Sequence, residues 1–205
     1  MKACQAIAFI FLISTISCRG QLKNKSITNT NTYGSMEKFD IARFKKNNVR
    51  GEFSYVLKDG NEVREIENVN SQDYTVETKS PLKPNVSLKL FYMQSGNLKA
   101  TGEKFYAFPI GTWQYFSETG ALTKETNWDS SYQFTLEDLS KKMLKSGIDI
   151  YKVTPGVSVH RASIGAPLYI VSYPINPENP YDVYELRIDG ITGETKEKTV
   201  QQTRN

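Results

Sequence analysis

From Leu88 to Asp129 the hydrophobic positions come in short alternating runs broken by polar pairs and glycine, and the same run occurs twice. Phe91-Tyr92 is followed by Gly96 and Leu98, and Tyr115-Phe116 by Gly120 and Leu122, 24 residues further on in each case. Two alternating runs rich in β-formers, separated by a glycine that supplies the positive φ a Cβ resists, predict a β-hairpin. A hairpin repeated at fixed spacing predicts units that bury their faces by stacking on one another. Phe53 to Ile66 reads as a decayed earlier copy. It has an Asp59-Gly60 turn, and Tyr55 precedes its glycine by five residues, as Phe91 and Tyr115 do, but Val63 falls one place later than Leu98 and Leu122. Gly60, Gly96 and Gly120 are the expected turn glycines. The stretch Ser71 to Asn85, with Pro81 and Pro84, predicts an inserted polar strand and turn. In the clearest copy, alternation puts Trp113 and Tyr115 on one face and Gln114 and Phe116 on the other. Two readings follow. Either both faces are covered, by the C-terminal part and by the neighbouring hairpin, or the aromatics form an exposed binding strip whose candidates are Trp113, Tyr115, Phe91 and Tyr92.

The pattern changes on either side of this region. Met36 to Lys46 (MEKFDIARFKK), with Ser35 as its cap, predicts a short helix or turn packed on the first sheet strand. Past Tyr132 a better helix begins. Thr135 caps it, Asp138 gives a form of the capping box, and Phe134 with Leu139 fit a hydrophobic staple. Leu136, Leu139, Met143 and Leu144 make its apolar stripe, Lys141, Lys142 and Lys145 sit toward the negative end of its dipole, and Gly147 closes it. Three strands are expected next, Val157 to Ile164, Leu168 to Tyr173 and Val183 to Asp189, with PINPENP (174–180) joining the last two.

Gly111, Trp113, Tyr115, Phe116, Gly120 and Leu122 resemble the MORN-like repeats of the YwqK family, labelled bacterial antitoxins, whose pattern is roughly G-x-W-x-Y-Y-x-x-x-G-x-L. The C-terminal order of helix and strands, ending in YELRIDGITGE, resembles a PepSY-like domain; Asp189, Thr192, Gly193 and Glu194 match its D-x-x-T-G-x turn. The expected fold is therefore α+β and mainly antiparallel β: stacked β-hairpin repeats (36–130), then a helix packed on a small three-stranded antiparallel sheet (131–205).

Residues 1–18 change the picture of where this fold works. Lys2, the apolar run Ala6 to Ile13 and the small residues 15–17 before Cys18 read as a targeting segment, because eight apolar residues fall well short of the about 20 that span a bilayer. The ending resembles a bacterial lipoprotein signal, which implies cleavage before Cys18 and lipidation of its sulfur; an ordinary secretory signal with an incidental Cys is the alternative. Residues 19–35 are polar, Asn/Thr-rich and without period. They read as a flexible tether of about 17 residues reaching roughly 20–25 Å. Arg19 after the Cys, by resemblance to Gram-negative sorting rules, implies the outer membrane. The absence of acidic residues from Gly20 to Ser26 favours its periplasmic face.

Composition narrows the chemistry. The 205 residues are 39% hydrophobic with a net charge of +4, which loss of Lys2 reduces to +3. That is too little to argue for nucleic acid without a concentrated basic face. Of the two cysteines, Cys4 leaves with the leader and Cys18 is the lipid acceptor, so no thiol nucleophile or thiolate ligand remains. His160 is the only histidine, and no H-E-x-x-H, G-x-S-x-G or phosphate-loop spacing occurs. On its strand His160 shares a face with Ser158 and Ala162 and reads as a half-exposed sheet residue. Asp189 and Glu194 lack EF-hand spacing, and turn chemistry accounts for them. No catalytic residue, metal, cofactor or small-molecule substrate is therefore expected. The leading expectation is a non-catalytic envelope lipoprotein binding a protein partner through its repeat sheet, antitoxin or immunity-like by resemblance. A PepSY-like inhibitor or chaperone of a secreted peptidase is the alternative, and a structural envelope protein the weaker one.

Overall fold

The computed structural model describes residues 37–176 and 178–201, which belong to one compact unit. The leader, Cys18, the tether and the expected cap Ser35 lie outside the described residues. Two antiparallel sheets and two short helices make up the fold of the described residues. The first sheet is a seven-stranded meander in chain order: β1 (Glu52–Val56), β2 (Glu62–Asn68), β3 (Asp73–Lys79), β4 (Asn85–Tyr92), β5 (Leu98–Phe105), β6 (Phe108–Phe116) and β7 (Leu122–Asn127). The second is a four-stranded meander of β8 (Ser158–Ile164), β9 (Ala166–Asn176), β10 (Asn179–Asp189) and β11 (Thr195–Gln201).

The turn glycines sit where the sequence places them. Gly60, Gly96 and Gly120 have φ of +84°, +71° and +84°. The Gly60 and Gly120 turns share one bonding pattern, Leu57 N–H to Asn61 O and Ser117 N–H to Ala121 O, at 2.8 and 2.9 Å. The Gly96 turn is one residue longer, with Tyr92 N–H donating to Asn97 O at 2.9 Å. Pairing slips accordingly: Phe91 faces Leu98, whereas Leu122 faces Phe116 rather than Tyr115. Each slip is a β-bulge beside the aromatic pair, which absorbs the different loop length.

Helix α1 (Ile41–Asn47) starts later than the sequence predicts, because Asp40 and not Ser35 caps it, accepting from Arg43 N–H at 2.9 Å. Residues 37–39 instead lie along the Gly96 turn, where Phe39 N–H donates to Gly96 O at 2.8 Å and Leu98 N–H to Glu37 O at 3.2 Å. This entry drives Phe39 and Phe44 onto Tyr74 and Phe91, the smaller of two buried clusters.

Helix α2 (Leu136–Leu144) has the full capping box: Thr135 Oγ1 accepts from Asp138 N–H at 3.1 Å, and Asp138 accepts from Thr135 N–H at 3.2 Å. Leu139 and Met143 are buried, but Leu144, one position round from Met143, is 52% exposed rather than part of the stripe. The second sheet has four strands, not three. β11 carries a run of exposed polar residues with no apolar alternation, so only its pairing with β10 reveals it. PINPENP is also not a free connection. β9 runs through Pro174 to Asn176 and β10 begins at Asn179, with an irregularity between Asn179 and Val183 accommodating the prolines. One face of this sheet (Val159, Tyr169, Val171, Leu186, Ile188) packs with Leu139 and Met143 of α2, and with Phe105 and Phe108 from the β5–β6 hairpin, into the larger core.

Candidate functional site

Register separates the two faces of the seven-stranded sheet. Tyr74 pairs with Phe91, and both lie under α1. Phe91 is 2% exposed and is therefore a core residue, not a surface contact, which removes it from the binding strip. Tyr92, the next residue, points the opposite way with Asp73, Leu88 and Ala100. Ala100 pairs with Tyr115, and the Trp113 ring lies over Gly102, the partner of Leu88. Tyr92, Trp113 and Tyr115 thus share the face away from α1. Helix α2 is engaged in the core of the four-stranded sheet, so neither helix covers this face.

The three rings are half-buried and differently fixed. Trp113 is held closely: any Cβ at position 102 would fall 2.3 Å from its indole, and its Nε1–H donates to Glu103 O at 3.0 Å. Tyr92 donates its hydroxyl to Phe116 O at 2.7 Å. Asn97 Nδ2 donates to Glu118 O at 2.7 Å, so the Gly96 and Gly120 turns are tied side by side. The Tyr115 ring lies 6.5 Å from Trp113, with Lys124 Nζ 5.5 Å from its centre, and its hydroxyl bonds no other described residue. Under the strip, Asp73 is 2% exposed and accepts from Lys99 Nζ at 2.8 Å, while that same ammonium stands 5.8 Å from the Tyr92 ring. The result is an aromatic platform with a rigid indole, a bonded phenol and one free phenol edge, flanked by lysines.

The other sequence-selected residues fall apart from it. His160 is exposed on the open face of the four-stranded sheet, opposite Ile170. Asp189 organises its turn by accepting from Thr192 N–H at 3.0 Å and Ile191 N–H at 2.8 Å, which, in that order, hold its carboxyl below the usual range. Gly193 takes a φ of +74°, but Gly190 does not adopt positive φ; it is small because the Tyr132 ring comes within 2.7 Å of where its Cβ would be.

Besides Asp73, two further buried charges among the described residues carry no motif in the sequence. Arg161, on the inward side of β8 with Val159, donates to Asp129 Oδ1 at 2.7 Å and to the Tyr169 hydroxyl at 3.2 Å. Burial pushes the Tyr169 phenol up, so it stays protonated beside the cation. Glu65, on the α1 face between Phe53 and Val76, is 2% exposed and ion-paired with Arg43. The one available signal was parity: both charges occupy positions that alternation directs inward. Among the described residues no helix is long and apolar enough to cross a membrane. Comparison with protein families, with curated proteins and with solved structures finds no match to this chain.

Proposed function

We propose that this chain is a non-catalytic envelope lipoprotein, anchored through Cys18 at the periplasmic face of the outer membrane, that binds a protein partner through a sheet of repeated β-hairpins. The observation that carries the reading is the platform of Tyr92, Trp113 and Tyr115 on a sheet face that neither helix covers. Aromatic side chains held rigidly before binding lose little conformational entropy on contact, which is why they serve as anchors. The MORN-like resemblance of Gly111, Trp113, Tyr115, Phe116, Gly120 and Leu122 supports an antitoxin or immunity-like role. A second reading, an inhibitor or chaperone of a secreted peptidase, draws on the PepSY-like resemblance and on the ordered Asp189 turn that ends β10.

The test is pull-down of the native lipoprotein from membranes, then melting and partner affinity measured on wild type, Trp113→Ala, Tyr115→Ala and His160→Ala. An anchor contributes about 2 kcal/mol or more, so each aromatic variant should bind about 30-fold more weakly or worse while remaining folded. His160→Ala should bind as wild type. If Trp113 instead acts as core, its variant loses about 3–5 kcal/mol of folding stability. Tyr115→Ala then decides: unchanged affinity in that folded variant removes the proposal. A toxin as the captured partner favours the first reading and a peptidase the second.

A further inference from the structure

The α1 face of the seven-stranded sheet holds a cavity of about 250 Å³, on the side away from the aromatic platform. Glu65, Val76, Thr78, Ser87 and Lys89 form its floor, and residues 37–40 with Arg43 form its wall. Sites for drug-sized ligands run to about 300–1,000 Å³, so this one suits something smaller, of amino-acid size.

Its chemistry is unusually specific for its size. Glu65 Oε1 accepts from Arg43 and from the Tyr55 hydroxyl, the latter at 3.0 Å, while Oε2 is buried without any partner. A buried carboxylate oxygen lacking a donor is costly and calls for an occupant that brings one. The hydroxyls of Thr78 and Ser87 beside it bond no other described residue. Three cations (Lys38, Arg43, Lys89) and three acids (Glu37, Asp40, Glu65) line the cavity, so it has no net preference for a simple cation or anion. It suits a ligand carrying both charges. Lys89 bonds Glu37 at 2.8 Å in an exposed pair, the kind worth least, so Lys89 can exchange Glu37 for a ligand carboxylate. Half-buried Val76 supplies an apolar surface for a hydrocarbon side chain.

We propose that this cavity binds a free α-amino acid with an apolar side chain. The ammonium group meets Glu65, Thr78 and Ser87, the carboxylate meets Lys89, and the side chain lies on Val76. The site is independent of the aromatic platform, so either proposal can fail alone.

The experiment is titration of the full chain with L-leucine, L-methionine and L-phenylalanine, followed by calorimetry and by amide NMR shifts. The controls are n-butylammonium and valerate, each lacking one charged end. At least one amino acid should bind saturably, shifting amides of β3 and β4, and both controls should bind about tenfold more weakly or worse. Glu65→Gln should weaken binding by a similar factor. Ser87→Leu, which fills the cavity without touching an ion pair, should abolish binding with an unchanged melt, and it keeps the test open if Glu65→Gln does not fold. The proposal falls if none of the three amino acids saturates at millimolar concentration. It also falls if n-butylammonium binds equally well, or if binding survives Ser87→Leu.

Discussion

The Arg161 side chain is only 8% exposed, and its guanidinium carbon lies 4.1 Å from the centre of the Tyr132 ring, 4.9 Å from Phe108 and 5.3 Å from Tyr169. Burying a guanidinium is tolerable when it is paired and bonded. Here Asp129 supplies the counter-charge at 2.7 Å, and the carbonyls of Trp128 and Pro109 accept at 3.2 and 3.4 Å. These acceptors come from the first sheet and its exit loop, while Arg161 and Tyr169 belong to the second. The one cation therefore fastens the two. Arg161→Met keeps much of the stem but removes every donor, and Asp129, 45% exposed, stays solvated, so stability to urea should fall by about 1–3 kcal/mol, the cost of leaving the buried acceptors unbonded. Arg161→Lys should recover only part of that, since one ammonium lacks the planar fork that reaches Asp129 and the Tyr169 hydroxyl together. A loss within measurement error in Arg161→Met would mean the two sheets hold together by apolar packing alone.

What could be read from the sequence, at the scale of elements, was whatever carries its own local signal. The Gly60, Gly96 and Gly120 turns and the Thr135–Asp138 cap were legible because turn and cap chemistry depends on a few neighbouring residues. β11 was not, because an exposed edge strand needs no apolar alternation and is held by its neighbour. Periodicity separates two faces but does not say which one a helix will cover, so it leaves Phe91 among the strip candidates although α1 buries it. Glu65 and Arg161 broke the rule that alternating inward positions are apolar, and their partners lie far along the chain. The same local chemistry predicts an acid response. Asp138 is held below its usual range chiefly by the Thr135 hydroxyl, and Asp189 chiefly by Thr192 N–H and then Ile191 N–H. A carboxyl depressed on folding adds stability that is complete above its unfolded value, about 4, and is lost as pH falls through the folded value. The stability difference between wild type and Asp189→Asn should thus be constant near neutrality and shrink below about pH 4, as read by denaturant melts across pH. A difference that stays flat into acid would place the role of Asp189 in shape rather than charge.

For the molecule as a whole, the decisive packing fact is that Phe105 and Phe108 of the first sheet lie in the same core as Leu139, Met143, Tyr169 and Ile188. Neither sheet can leave without exposing the other, so calorimetry should record one cooperative transition, and residues 131–205 expressed alone should not fold. Two separated transitions would show that the clusters melt independently. Both sheets are also meanders, in which each strand pairs only with its neighbours in the chain. This has a kinetic consequence. Each hairpin closes a short loop, so contact order within a sheet is low and little chain entropy is lost before bonds form. The distant encounters lie outside the strand ladders: among them are the Lys38–Asn97 bridge that seats α1, the core that Phe105 and Phe108 share with Tyr169 and Ile188, and Arg161 reaching Asp129 across the junction. Strands can zip early and independently of one another, which leaves docking of one finished sheet on the other as the slow, rate-setting step of folding.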